Sequence, residues 1–205
     1  MIAIVDYGCG NLKSIKNMLD HAGIESAISG DAAALQSASR LILPGIGHFR
    51  FAMDSLRECG LVDVLNERVL KARVPILGIC LGAQLLGRKS QEGNCAGLGW
   101  VPMDTIAFDK AKMKHGEKIP HMGWADTQHT EHALFHGFES NPRFYYVHSF
   151  HFECDDPKMV IATAENGYHF PSAIAHRNIV GVQFHPEKSH VYGKTLLKNF
   201  VSMEF

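Results

Sequence analysis

The sequence predicts an α/β fold built on a central, mostly parallel sheet. Three observations carry this reading. Short runs that are apolar almost throughout, at 2–5, 41–43 and 74–79, have the composition of parallel strands buried on both faces. Stretches with helical spacing of apolar residues follow them, so strand and helix alternate as in a doubly wound sheet. Glycine-rich turns, Gly8-Cys9-Gly10 and Pro44-Gly45-Ile46-Gly47, end two of the runs.

The elements follow in order. After the run 2–5, Leu12, Ile15, Leu19 and Ala22 share one helical face, and Gly23 sits where a C-cap belongs. The run 41–43 leads through its glycine turn to helical stretches at 51–58 and 62–72. A further strand ends at Ile79, just before Cys80. From Gly97 the rhythm changes to short β-prone runs at 100–106, 143–147, 160–163, 172–175 and 179–184, with polar loops at 109–118 and 127–132. This predicts a more antiparallel second half on the same sheet. Tyr192, Leu196, Leu197, Phe200 and Val201 then predict a last helix over 191–205. No repeat or linker interrupts the chain, so one domain over 1–205 is expected.

Composition bounds the function. Of 205 residues, 46% are apolar and 20% charged, with a net charge of −1, as in a globular protein. That balance gives no basic surplus for nucleic acid, and no window is apolar enough to cross a membrane. No secretory signal pattern is visible, and five scattered cysteines without C-x-x-C read as free thiols, so a cytoplasmic location is expected. The thirteen histidines include His148 and His151, but no third ligand stands at a familiar spacing, so neither a metal nor a cofactor is expected.

Two segments have the place of a dinucleotide fingerprint and fail it. Gly8-Cys9-Gly10-Asn11-Leu12-Lys13 and Gly45-Ile46-Gly47-His48-Phe49-Arg50 both lack the third glycine, which close helix–strand packing requires. A phosphate-binding G-x-x-x-x-G-K-[ST] is missing as well.

Gly78-Ile79-Cys80-Leu81-Gly82 has the G-x-nucleophile-x-G form of a nucleophile elbow. In that strained strand-to-helix turn the neighbours two positions away must lack Cβ atoms. The helix N-terminus favours a thiolate and offers backbone N–H groups, that of Leu81 first, to an oxyanion. A buried structural cysteine is the competing reading. A thiolate needs a base, and the base an orienting group. Val180 through Glu187 supplies both: an apolar strand delivers His185, and Pro186 keeps the chain extended, so that Glu187 shares a side with His185. Alone, His-Pro-Glu could equally be a polar turn; with Cys80 it makes a Cys-His-Glu triad. The Pro44–Gly47 turn, at a neighbouring strand end, can present a second oxyanion donor near Ile46 and Gly47, or be an ordinary turn.

Gly78 through Gln84, with Gln183-Phe184-His185-Pro186-Glu187, resembles the class I, triad-type glutamine amidotransferases. More narrowly, the chain is similar to the glutaminase subunits of imidazole glycerol phosphate synthase. That similarity rests on Asp6-Tyr7-Gly8, Gly10-Asn11-Leu12, the segment 43–49, Pro120-His121-Met122-Gly123-Trp124, the segment 144–149, and 181–189. The resemblance implies a flavodoxin-like amidotransferase fold and hydrolysis of L-glutamine to glutamate and ammonia through a thioester on Cys80, with His185 moving the proton and Glu187 orienting it. It implies glutamine binding at Gly45, Gly47, Gln84, His148, Ser149 and Phe150. It also implies a (β/α)₈-barrel cyclase partner, met through Asn11, Trp124, Tyr145 and Lys188, which uses the ammonia to make imidazole glycerol phosphate and AICAR. The peptide near Gly45-Ile46 would have to rotate before its N–H faces the oxyanion, so hydrolysis without the partner would be weak.

Some residues depart from the pattern. Phe150 stands where tyrosine is usual, and the elbow helix is followed by Leu86-Gly87-Arg88-Lys89-Ser90 rather than the usual Phe-Glu. Gly97-Leu98-Gly99-Trp100, Lys188-Ser189-His190 and Tyr192-Gly193-Lys194 look more like paralogues that feed a surface-sugar amidotransferase. The rival readings are that paralogue, a related elbow-type cysteine hydrolase, and an inactive binding module.

Overall fold

The computed structural model describes residues 1–113 and 117–205. The middle of the polar loop read at 109–118 therefore lies outside the described residues; its start forms a 3-10 turn at Lys110–Lys112.

The first half alternates as the sequence predicts: β1 (Ile2–Val5), α1 (Leu12–His21), β2 (Ser26–Ser29), α2 (Ala32–Ser37), β3 (Arg40–Leu43), α3 (Phe49–Glu58), α4 (Leu61–Asn66), β4 (Ile76–Ile79) and α5 (Leu81–Leu85). Helix α1 buries Ile15 and Leu19 and is closed by Gly23 at φ 75°. Helix α4 continues into a π-helical turn at Glu67–Lys71. Elements β2 and α2 left no trace in the apolar pattern. β2 lies at the sheet edge with only Ser26 fully buried, so it carries no apolar run. α2 is one and a half turns long and starts on Asp31, whose carboxylate accepts Ala34 N–H at 3.0 Å.

The second half holds β5 (Lys89–Ser90), β6 (Cys95–Ala96), β7 (Met103–Ala107), β8 (His121–Asp126), β9 (Gln128–His129), β10 (Arg143–His148), β11 (Phe150–Cys154), β12 (Val160–Asn166), β13 (Tyr168–His176), β14 (Ile179–Val182) and α6 (His190–Ser202). The main sheet runs β2-β1-β3-β4-β14-β13-β12-β9. Its first five strands are mutually parallel, and β13, β12 and β9 extend it antiparallel.

The expectation of one continuous sheet is corrected in part. β8 and β10 form a separate antiparallel ribbon, and β11-β7-β5-β6 a separate small sheet. The reason is burial. Met122, Trp124 and Asp126 of β8 face solvent, and a strand with one wet face does not fit a central parallel sheet covered on both sides.

Alternate residues of the sheet feed two cores. Ala3, Val5, Leu41 and Ile76 pack with α3, α4 and α5 on one face. Ile2, Ile4, Ile42 and Leu77 pack with α1, α6 and the aromatic side chains Phe144, Tyr146, Phe170 and Phe184 on the other. The consequence for function lies at the centre. β4 and β14 are parallel neighbours, Ile79 beside Val182, so their carboxyl ends deliver Cys80 and His185 to one place.

Candidate active site

Cys80 ends β4 with φ 53° and ψ −114°, outside the regions an L-residue ordinarily occupies. Its N–H is held by Val182 O (2.8 Å), and its carbonyl accepts Ala83 N–H and Gln84 N–H as α5 begins. Both elbow glycines are sterically required. A Cβ on Gly78 would lie 2.6 Å from Ala83 Cα, and one on Gly82 would run into the Leu43 carbonyl. Leu81 N–H, first in the helix, has no intrahelical acceptor by geometry and is the natural oxyanion donor.

His185 follows β14, and its main chain is clamped to β10: His185 N–H donates to Tyr145 O (2.9 Å), and Ser189 Oγ bridges His185 O (2.6 Å) and Tyr145 N–H (3.0 Å). His185 Nδ1–H donates to Glu187 Oε1 at 2.8 Å, with both side chains buried. The pairing arises differently from the expectation. Pro186–Lys188 is a 3-10 turn rather than an extended segment, and that turn brings Glu187 back to the ring. Burial disfavours a charged His185, but the negative charge of an ionised Cys80 and then Glu187 overcome it and raise its pKa to about 10. Nε2 is buried without a hydrogen-bond partner. Ring and thiol thus interact electrostatically, with Nε2 left free to take or give a proton.

The Pro44–Gly47 turn is anchored at one end and free at the other. Tyr7 Oη–H donates to Pro44 O (2.7 Å) in the core, and Gly45 packs directly on Leu81 and Gly82 of the elbow. Ile46 is half exposed, and Gly47, at φ 99°, has nothing near where a Cβ would stand. Ile46 and Gly47 thus face open space, while the strand side of the turn is fixed.

A pocket of about 380 Å³ gathers most of the residues singled out from sequence: Ile46, Gly47, Cys80, Leu81 and Gln84 on one wall, and His148, Ser149, Phe150, His185 and Lys188 on the other. Glu187 and Gly45 are outside the lining: Glu187 is bonded to His185 Nδ1, and Gly45 packs on Leu81 and Gly82. Phe150 contributes through its main chain: its carbonyl accepts Gln84 Nε2–H (3.1 Å) and His148 Nδ1–H (2.7 Å), so the missing tyrosine hydroxyl leaves these bonds intact. His148 and His151 do not point to metal chemistry. His148 Nε2 accepts from His121 Nδ1–H (3.1 Å); His151 bonds Phe152 O and Tyr168 Oη. Burial holds His148 well below the usual imidazole range and His121 at about 4, so both rings are neutral near pH 7.

Trp124, Tyr145 and Lys188 form one cluster, and Lys188 also lines the pocket. Lys188 Nζ lies 5.4 Å over the Tyr145 ring, Trp124 stands edge-on to Tyr145, and His190 stacks flat on Trp124 (5.5 Å, 3°). Asn11 stands at the start of α1, which packs against the Pro186–Lys188 turn, and makes no side-chain cap bond.

Four contributors escaped sequence reasoning: Tyr7 under the turn, Glu92 in the pocket wall, His121, and Gln183 against the thiol. Glu92 Oε2 accepts Phe49 N–H (2.8 Å) at the start of α3. Gln183 Nε2 lies 3.7 Å from Cys80 Sγ. Tyr7, His121 and Gln183 stand inside the motif segments 6–8, 120–124 and 183–187, but no local spacing shows what their side chains reach.

Comparison with known proteins places the chain in a family. The sequence profile described as Glutamine amidotransferase class-I matches residues 3–203. The chain is 43% identical over 204 residues to the imidazole glycerol phosphate synthase subunit HisH 2 of Pseudomonas aeruginosa, covering 99% of this chain and 100% of that one. It is 46% identical over 201 residues to the imidazole glycerol phosphate synthase subunit HisH of Bdellovibrio bacteriovorus, covering 98% of each. In fold it resembles a solved glutamine amidotransferase, with a TM-score of 0.75, 19% identity and coverage of 98% and 96%. A profile match over nearly all residues and relatives above 40% identity end to end establish that the chain belongs to the class-I glutamine amidotransferase family.

Proposed function

We propose that this chain is the glutaminase subunit of an imidazole glycerol phosphate synthase: it hydrolyses L-glutamine and hands the ammonia to a cyclase subunit in histidine biosynthesis. The observation that carries the reading is one pocket that joins a strained cysteine to a buried His–Glu pair. Cys80 Sγ attacks the side-chain amide carbon, and Leu81 N–H with an N–H of the 45–47 turn receives the oxyanion. His185 Nε2 gives its proton to the departing ammonia, then takes one from the water that hydrolyses the thioester, while Glu187 holds Nδ1–H. The Gln84 amide nitrogen is committed within the protein, so it offers the substrate only Oε1, an acceptor suited to the α-ammonium. His148, Ser149 and Phe150 close the other side. The barrel-shaped cyclase docks on Trp124, Tyr145, Lys188 and Asn11, near the pocket mouth, in the cytoplasm.

A second reading is the same glutaminase serving a surface-sugar amidotransferase, whose glutaminase subunits the segments Lys188-Ser189-His190 and Tyr192-Gly193-Lys194 resemble. One assay separates them. Purified chain is given glutamine, with and without each candidate synthase, and glutamate and ammonia transfer are measured. Transfer to the cyclase, stimulated by it and lost in Cys80→Ala, is the expected result. Turnover that survives Cys80→Ala sinks the glutaminase mechanism; transfer only to the sugar synthase sinks the histidine assignment.

A further inference from the structure

Among the described residues, Gln183 is the polar side chain in contact with the nucleophile that the triad does not use. It follows β14, is fully buried, and is fixed by its N–H to Ser172 O (2.8 Å). The direction of its amide follows from a chain of partners. Gln84 approaches Phe150 O at 3.1 Å, and a peptide carbonyl only accepts, so the approaching atom is Nε2. The same nitrogen lies 3.0 Å from the Gln183 amide and needs an acceptor there, which is Oε1. Nε2 of Gln183 therefore faces the other way, 3.7 Å from Cys80 Sγ. The anchor is itself braced, because Phe150 O also accepts His148 Nδ1–H at 2.7 Å.

We propose that Gln183 is a catalytic residue of this site: its Nε2–H donates to the Cys80 sulfur and favours the thiolate, and Gln84 is the positioning residue that fixes which end of the amide faces the sulfur. This deepens the glutaminase reading and rests on Cys80 being its nucleophile. The balance of contacts at the sulfur supports the sign. The opposing group is Val147 O, an acceptor that would favour the neutral thiol, but it stands farther off, at 3.9 Å. A donor to the charged form gains most when the sulfur gives up its proton, and the gain is larger where water is excluded. His185 supplies the positive charge; Gln183 supplies a fixed dipole that needs no proton transfer.

The test uses the full chain alone and reads the thiol, not turnover. The ultraviolet absorbance of the thiolate, taken as the difference from Cys80→Ser, and the rate of Cys80 alkylation by iodoacetamide are measured at neutral pH. Gln183→Met removes the donor at nearly constant volume. Alkylation is expected to slow about tenfold and most of the Cys80 thiolate band to disappear, with the circular dichroism spectrum unchanged. Gln84→Met leaves Gln183 in place but frees its amide to turn, and a smaller loss, about threefold, is expected. Wild-type band and rate in both variants would overturn the proposal. If Gln183→Met does not fold, the wild-type chain decides: with nitrogen-labelled glutamine, the Gln183 side-chain amide protons should move with the thiolate band as pH is varied, and should stay still in Cys80→Ser. Amide protons that ignore the band overturn the assignment. A chain that behaves as expected here, yet releases no ammonia from glutamine with or without a synthase, would sink the glutaminase reading and leave this one standing.

Discussion

Replacing Gly45 by alanine tests whether the oxyanion turn and the elbow form one rigid unit. The new Cβ would run into Gly82 N and stand 2.9 Å from Leu81 C and Cβ, against an ordinary contact beginning near 3.4 Å. Turn and elbow must therefore separate by about 1 Å. No side chain can rotate to absorb this, because the closest obstacle is main chain. The turn cannot retreat freely either. Its Pro44 carbonyl is held by Tyr7, and Gly10 lies against the Pro44 ring on the far side. Overpacking of this kind costs about 1–3 kcal/mol, and a strained or lost buried hydrogen bond adds about 1 kcal/mol. For a chain of this size the sum lowers Tm by roughly 5–15 °C. The catalytic effect is larger in proportion, since a 1 Å misplacement in a positioned site costs on the order of 10²-fold in kcat. Gly47→Ala is the control: it meets no atom and carries only the strain of its positive φ, about 1 kcal/mol. Differential scanning calorimetry and glutamine-dependent ammonia release measure both. A Gly45→Ala protein with wild-type Tm and turnover would refute the packed-unit argument, and equal losses in the two variants would show that backbone strain, not contact with the elbow, is what matters.

Two further outcomes concern charge. Glu187→Gln removes the anion beside Nδ1 of His185, so the ring pKa should fall from about 10 toward 6.5, followed by its ring-proton resonances, and kcat should drop by roughly 10²–10⁴ with KM little changed; an unmoved titration would mean that Glu187 does not set the charge of the base. His121 contributes to the acid limb of stability, alongside His148, which burial also holds low. Burial holds His121 at about 4 in the fold against 6.5 unfolded, so the unfolded chain takes up the proton first, and stability falls as pH drops through that window, by about 1–3 kcal/mol after solvent screening. Urea midpoints measured between pH 7 and 4 should flatten in His121→Asn; an unchanged acid limb would assign the loss to other groups.

How far the fold could be read from sequence depended on burial. Strands covered on both faces announce themselves: β1, β3 and β4 coincide almost residue for residue with apolar runs, because every side chain there meets a core. β2 and β8 each have a wet side, and their sequences, Ser-Ala-Ile-Ser and His-Met-Gly-Trp-Ala-Asp, carry no such run. β11 was missed beside the correctly read β10 because Ser149 alone separates them, and one residue is too short a gap for composition to mark as a turn. Trp100 and Val101 were read into a strand that begins only at Met103; they are buried as loop residues, with Trp100 Nε1–H spent on Asn66 Oδ1 (2.7 Å).

The site was legible where chemistry is local and silent where it depends on long-range contact. The elbow is a five-residue steric problem, and His-Pro-Glu is a three-residue one, so both could be solved from their own neighbours. What holds them together spans the chain. Gln84 meets Gln183 99 positions away, and Tyr7 meets Pro44 37 positions away. The ribbon strand β10 shows why those contacts matter more than their individual energies. Tyr145 O accepts the main-chain N–H of His185, and Val147 and His148, farther along the same strand, line the pocket. Tyr145 also carries the exposed aromatic cluster with Trp124 and Lys188. One six-residue strand thus touches the solvent-facing patch, the backbone of the base and the substrate wall. A load applied at Trp124 and Tyr145 reaches His185 through one direct main-chain hydrogen bond, His185 N–H to Tyr145 O, and the Ser189 bridge. Cys80 N–H is held by Val182 O of β14, the strand that leads to His185, so thiol and imidazole share that support.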